Sequence, residues 1–232
     1  MRVMSLPLAP LPVQIPCKGI LFDMDGILIS SIGSVERCWT IWANLRGIDP
    51  EYACRVAQGC RSIDTVALLR PDLDAEAENN FIENMEIEDT EGILLLPGVL
   101  DLLTALPPDR WTVVTSATDR LARVRLAAGG VPVPERLITA ECVTEGKPHP
   151  APYLAGAALL GFAPEDCVVF EDAASGTKAG HAAGCIVVAT TFSHPIESLE
   201  AADYLVEDVT GVKVENLANG EGLVLTLTPL AS

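Results

Sequence analysis

The chain has 232 residues, with 15 Lys and Arg against 32 Asp and Glu, a formal net charge of −17. That balance excludes an electrostatic grip on nucleic acid or on an anionic membrane surface, both of which reward clustered cations. An apolar fraction of 49% beside 20% charged residues excludes a disordered chain and supplies one large core, or a core with a small satellite.

In chain order, Met1 to Pro16 is apolar but carries Pro7, Pro10, Pro12 and Pro16. Proline at that density prevents the helical core of a signal peptide, so the segment reads as an extended lead-in. No run approaches the roughly 18 apolar residues that cross a bilayer. Lys18 to Asp23 (KGILFD) reads as a buried strand whose C-terminal end points at a site. Gly33 to Gly47 follows with Val35, Cys38, Trp39, Trp42 and Leu45 at helical spacing, which puts both tryptophans on one packed face.

Asp49 to Glu91 is polar and acidic and has no convincing strand. Its apolar residues recur three or four apart, so it reads as several short helices forming a lid. Its carboxylates, Glu83 and Glu86 among them, read as a solvated helix surface. Gly92 and Pro97-Gly98 mark the return to the core.

A strand–helix alternation then resumes. Strands are expected at Trp111 to Thr115, Leu137 to Ala140, Cys167 to Phe170, Cys185 to Ala189 and Ala202 to Val206. Helices are expected at Asp119 to Gly129, Pro150 to Gly161 and Ser175 to Gly184. This pattern predicts an α/β fold, a parallel sheet covered by helices on both faces. Residues after Asn216 read as a ragged extension with a hairpin around Asn219-Gly220. The seven cysteines are irregularly spaced without a C-x-x-C pair, which argues against a zinc site or a disulfide framework and for a reducing cytoplasm.

Four polar clusters sit at or near the ends of predicted strands, where open α/β sheets form ligand sites. They are Asp23-Met24-Asp25-Gly26, Thr115-Ser116, Gly146-Lys147-Pro148 and Glu171-Asp172. Singly, each has an ordinary explanation: a surface turn, a surface lysine, a cap for the helix near Ser175. Together they supply several carboxylates, a cation and hydroxyls. Carboxylates without histidine suit a hard divalent ion, Mg²⁺ rather than zinc. With Lys147, such an ion would clamp a phosphate despite the acidic surface. A neighbouring carboxylate could attack phosphorus and form an aspartyl-phosphate. His149, His181 and His194 lack any ligand pattern around them and read as structural or surface residues.

FDMDG, VVTS, GKP and FEDAASG, in that order, resemble the four motifs of the haloacid dehalogenase-like hydrolases over Lys18 to about Val214. The resemblance implies a Rossmann-like core with an inserted small helical cap of the subfamily I kind. The expected division is an extended segment 1–16, a core of 17–33 and 97–232, and a cap of 34–96. Carried over by position, Asp23 is the nucleophile, and Asp25 the general acid and then general base. Thr115 and the Ser116 backbone hold the phosphoryl oxygens, although a one-residue slip gives the hydroxyl role to Ser116. Lys147 neutralises the nucleophile and the transferring group. Asp23, Asp172 and the Asp25 carbonyl hold Mg²⁺, with Glu171 as a further or water-mediated ligand. Ile27 stands where the family usually has threonine.

Gln58-Gly59-Cys60-Arg61 resembles the cap's specificity loop, with Gln58 at a position often held by histidine; Arg61 either reaches the substrate or pairs with lid carboxylates. The flanking sequences are similar to those of sugar- and polyol-phosphate phosphatases. That implies a Mg²⁺-dependent phosphatase of a small sugar or polyol phosphate, cytoplasmic, a monomer or weak homodimer, without nucleic-acid or membrane partners. A β-phosphoglucomutase-like isomerase is the alternative enzyme, although Ser31 to Thr40 lacks the histidine such mutases usually carry. A non-catalytic binder of a phosphorylated ligand is the alternative of another class.

Overall fold

The computed structural model describes residues 11–217 and 222–230. The chain enters through β1 (Val13–Cys17) and β2 (Gly19–Phe22), then a two-residue β3 (Ile29–Ser30). Four helices follow: α1 (Ile32–Arg46), α2 (Pro50–Ala57), α3 (Ser62–Leu69) and α4 (Ala75–Glu88). β4 (Leu94–Leu95) closes this insertion by pairing antiparallel with β3. Next come α5 (Val99–Ala105), β5 (Trp111–Val113), α6 (Asp119–Ala128) and α7 (Ala151–Leu160). β6 (Cys167–Glu171), α8 (Ala174–Ala182), β7 (Ile186–Thr190) and β8 (Tyr204–Val206) complete the α/β core. β9 (Lys213–Asn216) and β10 (Leu223–Leu227) end the described chain.

Five strands form a parallel sheet in the order β5-β2-β6-β7-β8. Strand alternation divides its side chains between two cores. Ile20, Phe22, Val168, Phe170 and Val188 face α5, α6 and strand β10. Leu21, Val169 and Val187 face the other way, onto Tyr153 and Ala157 of α7 and Ala179 of α8. Both faces being covered explains why the strands are continuous apolar runs. The crossover order sends β2, β5 and β6 out at the same edge, and the polar residues after them meet there.

The structure departs from the sequence expectations at the periphery. Leu137 to Ala140 is not a strand; Ile138 makes a single bridge to Val114. Within the stretch expected to be a ragged tail, Leu223–Leu227 is a strand that pairs antiparallel with β9 on one side and β1 on the other, so the end of the proline-rich lead-in becomes a strand paired with the C-terminal extension. Pro16 is accommodated on β1, which has only β10 beside it in that sheet. β9 and β10 pair as a hairpin does, but Asn219-Gly220 lie outside the described residues.

The inserted helices carry their own apolar cluster of Trp39, Trp42, Ala53, Val66 and Ile82, with the two indoles edge-on at 5.3 Å. One polar group ties this cluster together. Glu78 Oε2 accepts from Trp42 Nε1 at 2.7 Å and Arg46 Nε at 2.8 Å, and Oε1 accepts from Arg46 Nη2 at 2.8 Å. The Arg46 guanidinium beside Glu78 holds its carboxyl below the usual range. Glu78→Ala should cost about 1–3 kcal/mol by stranding Trp42 and Arg46, read as a lowered melting temperature. Because the folded-state pKa is depressed, this stabilisation is present above the unfolded carboxylate's pKa and is lost as pH falls through the folded value. The mutant's deficit should therefore shrink in acid.

Candidate active site

Asp23 follows the last residue of β2, and its backbone N–H donates to Phe170 O at 2.9 Å, extending the ladder by one step. Its side chain is thereby fixed at the sheet's carboxyl edge and buried. Lys147 reaches it from the turn before α7, through a cis Lys147–Pro148 peptide. All three ammonium protons are taken: by Asp23 Oδ1 at 2.7 Å, Glu171 Oε1 at 2.7 Å and Val114 O at 3.1 Å. Glu171 ends β6. Its Oε1 also accepts from Tyr153 OH at 2.7 Å, and its Oε2 accepts from the backbone N–H of Asp172 at 2.9 Å and of Ala173 at 3.1 Å. Glu171 is thus held by four donors and itself anchors the lysine.

The electrostatics follow from burial. Desolvation pushes Asp23 up to about 7 even with Lys147 opposing it. Burial, then Glu171 and Asp23, push Asp172 well above its ordinary value. For Glu171, burial acts upward, but Lys147 and the hydrogen bonds outweigh it and leave the net shift downward. Burial alone would lower Lys147; the two carboxylates beside it outweigh this and hold it protonated, above its usual value. Three buried carboxylates therefore face one ammonium, and ionising all of them leaves uncompensated negative charge. Asp23, Glu171 and Asp172 each offer an oxygen within 4.8 Å of the others. An all-oxygen set with excess negative charge and no thiolate or imidazole fits a hard divalent cation such as Mg²⁺.

Two glycines make room for these carboxylates. A Cβ on Gly26 would collide with the Asp172 carboxylate, and Gly26 also sits at φ +84°, where side chains are strained. A Cβ on Gly176, in α8, would collide with Glu171. Ile27, in the place of the family's threonine, is 1% exposed and packs into the main core rather than facing the site.

Most of the expected site residues converge on one cleft of about 130 Å³ between the inserted helices and the core. Its walls include Asp23, Asp25, Thr115, Ser116, Lys147 and Asp172, with Gln58 and Gly59 from the opposite side. Thr115 Oγ1 accepts from Ala117 N at 3.1 Å, so this hydroxyl braces the loop after β5. Arg61 is directed elsewhere. It pairs with Asp64 at 2.6 Å and donates to Thr144 O at 3.1 Å, clamping the cap to the loop that carries Lys147.

Several residues at the site carry no local sequence signal. Tyr153 is buried in α7 under Glu171. Ser193 Oγ donates to Asp172 Oδ2 and meets His194 Nδ1 at 2.6 Å, so His194 lines the cleft, whereas His149 and His181 are exposed. Arg125 of α6 is 4% exposed and donates to Asp25 Oδ2 at 3.0 Å. The expectation that the lid's carboxylates are all solvated fails at Glu83 and Glu86, which are 8% and 2% exposed. They lie three apart on the face of α4 turned to α6. There Thr118 Oγ1 donates to Glu83 Oε1 at 2.6 Å, and Arg125 Nη2 approaches Glu86 Oε1 at 3.3 Å. All seven cysteines are free; burial pushes Cys17, Cys38, Cys167 and Cys185 up, so these thiols act as small core residues. Among the described residues, no helix is long and apolar enough to cross a membrane.

A family model described as haloacid dehalogenase-like hydrolase matches residues 17–184. Hexitol phosphatase A of Escherichia coli K12 is 39% identical over 213 residues, covering 90% of this chain and 99% of that protein. Glycerol-1-phosphate phosphohydrolase 1 of Saccharomyces cerevisiae is 34% identical, covering 90% of this chain and 89% of the relative. Among solved structures, β-phosphoglucomutase from Clostridium difficile shares the fold with a TM-score of 0.74 at 20% identity, over 85% of this chain and 93% of the other. A hydrolase from Pseudomonas syringae aligns equally well, with a TM-score of 0.74 at 24% identity, over 83% and 94% of the two chains.

Proposed function

The chain belongs to the haloacid dehalogenase-like hydrolases and is a phosphatase of that family, and from this premise we propose that it hydrolyses a small sugar or polyol phosphate, with Mg²⁺, through an aspartyl-phosphate on Asp23. The observation that carries the reading is the buried Asp23–Lys147–Glu171 chain beside Asp172 at the carboxyl edge of the sheet. The named relatives, which are hexitol and glycerol-1-phosphate phosphatases, support the substrate class.

The Asp23 carboxylate attacks phosphorus; a bond forms from its oxygen to phosphorus as the ester P–O bond breaks. Lys147 favours the ionised form of Asp23 against the burial that opposes it and balances charge on the transferring group. Glu171 and Tyr153 hold Lys147 at the correct reach. Thr115, with the Ser116 backbone, steadies the phosphoryl oxygens. Asp25 protonates the departing alkoxide, and its carboxylate then takes a proton from the water that attacks phosphorus. That attack releases inorganic phosphate and regenerates Asp23. Mg²⁺, held by Asp23, Asp172 and the Asp25 carbonyl with Glu171 behind them, would supply charge neutralisation and orientation of the phosphoryl group. The inserted helices shield the acyl-phosphate from bulk water.

The test is phosphate release from a panel of hexitol, glycerol and hexose phosphates with Mg²⁺ and with EDTA. Release should fall by at least about 100-fold on chelation, with polyol and sugar phosphates ranked above phosphorylated peptides or nucleotides. Isomerisation of β-glucose 1-phosphate without phosphate release would assign a mutase instead.

A further inference from the structure

Arg125 has no part in the steps above, yet its side chain touches both Asp25 and the inserted helices. Its Nη1 donates to Asp25 Oδ2 at 3.0 Å, and its Nη2 lies 3.3 Å from Glu86 Oε1 on α4. The Arg125 and Glu86 side chains are 5% and 3% exposed. We propose that Arg125, held by Glu86, is the positioning residue for Asp25 as leaving-group acid, so that the acid is set only while α4 is docked on α6.

Three observations support this. First, the arrangement is a poor device for stability. Asp25 Oδ1, Glu86 Oε2, Arg125 Nε and Arg125 Nη2 are buried without a hydrogen-bond partner. An apolar pair of similar volume would pack there at no greater cost. A buried pair that is incompletely satisfied calls for another role. Second, the guanidinium occupies one oxygen of Asp25. That contact restrains the carboxyl from turning. Third, the contact joins the core to the insertion. Thr118 of the core binds Glu83 one turn before Glu86, which fixes α4 over α6 and brings Glu86 to Arg125.

The inference rests on the assignment of Asp25 as leaving-group acid, and the test separates the two. It compares kcat/KM for three phosphate esters with Mg²⁺: p-nitrophenyl phosphate, whose phenolate leaves without protonation; ethyl phosphate, which needs an acid; and glycerol 1-phosphate, which needs an acid and carries hydroxyls. Asp25→Asn should lose at least about 100-fold on both alkyl esters and much less on the aryl ester. Equal losses there overturn the acid role of Asp25, and this inference with it. Arg125→Met should lose about 10–100-fold on both alkyl esters and under about 3-fold on the aryl ester. Glu86→Gln should show the same pattern at reduced size, and Arg125→Lys should recover part of it. Equal losses on all three esters, or a loss confined to glycerol 1-phosphate, overturn the proposal; the latter would make the pair a hydroxyl-binding subsite. Should Arg125→Met fail to fold, the doubly apolar Arg125→Met/Glu86→Met variant, which removes the buried Arg125–Glu86 pair as a unit, carries the same comparison.

Discussion

Asp23→Asn is expected to reduce phosphate release by at least about 10³-fold while leaving the protein as stable as before, or more so. The amide keeps the shape of the carboxylate but cannot form the acyl-phosphate. Its effect on folding has the opposite sign because Asp23 is not a stabilising ion. Burial pushes its pKa up to about 7, against the pull of Lys147, which means the folded protein resists ionising it. Replacement by a neutral isostere removes one of three crowded carboxylates and leaves Lys147 paired with Glu171 at 2.7 Å. Activity and melting temperature, measured on one preparation, check both halves. A variant that loses stability together with activity would contradict the electrostatic account.

Lys147→Met should do the reverse and damage both properties. The ammonium is the hub of Asp23, Glu171 and Val114 O. Its removal leaves buried carboxylates without a counter-ion, a loss of about 3–5 kcal/mol. In a chain of this size that lowers the melting temperature by roughly 6–20 °C. Turnover should be lost as well, since nothing then balances the charge on the transferring group. A further outcome separates this loss from that of an ordinary core mutation. Millimolar Mg²⁺ should recover part of the lost stability, because a divalent cation among Asp23, Glu171 and Asp172 replaces some of the missing charge. A melting temperature indifferent to Mg²⁺ would argue against those three carboxylates forming one cation site.

The convergence of the carboxylates and the lysine on one cleft was legible because each is marked locally. Each lies directly after an apolar run or on a Gly-Lys-Pro turn, and a parallel sheet has only one edge at which such residues can meet. Arg125 was not legible. It is one of three arginines in Asp119–Ala128, and its partner Asp25 is 100 residues away. Nothing in the local pattern distinguishes it from Arg123, which pairs with Asp119 on the surface. Glu83 and Glu86 depart from the solvated expectation for the same reason. An acidic run looks solvated until the face that meets another helix is known. Short strands were also hidden. The pairs Ile29–Leu95 and Ser30–Leu94 are two residues long, below any periodic signal. β1 was masked by its proline, and its pairing partner lies at the other end of the chain.

That two-residue ladder between β3 and β4 has a consequence for the order in which the molecule is assembled. The inserted helices leave the core and return to it at a single point. To the sheet, the whole insertion is topologically one long loop whose ends already touch. Closure entropy grows only with the logarithm of loop length, about 0.6 kcal/mol for each doubling. The core can therefore pair β2 with β5 and β6 at nearly the same free energy whatever the loop contains. The insertion is free to vary in length and content while the carboxyl edge of the sheet stays fixed. Exchange of residues 31–93 for another helical segment with the same end-to-end separation should preserve the core sheet, change what the cleft admits and remove the Glu86 hold on Arg125.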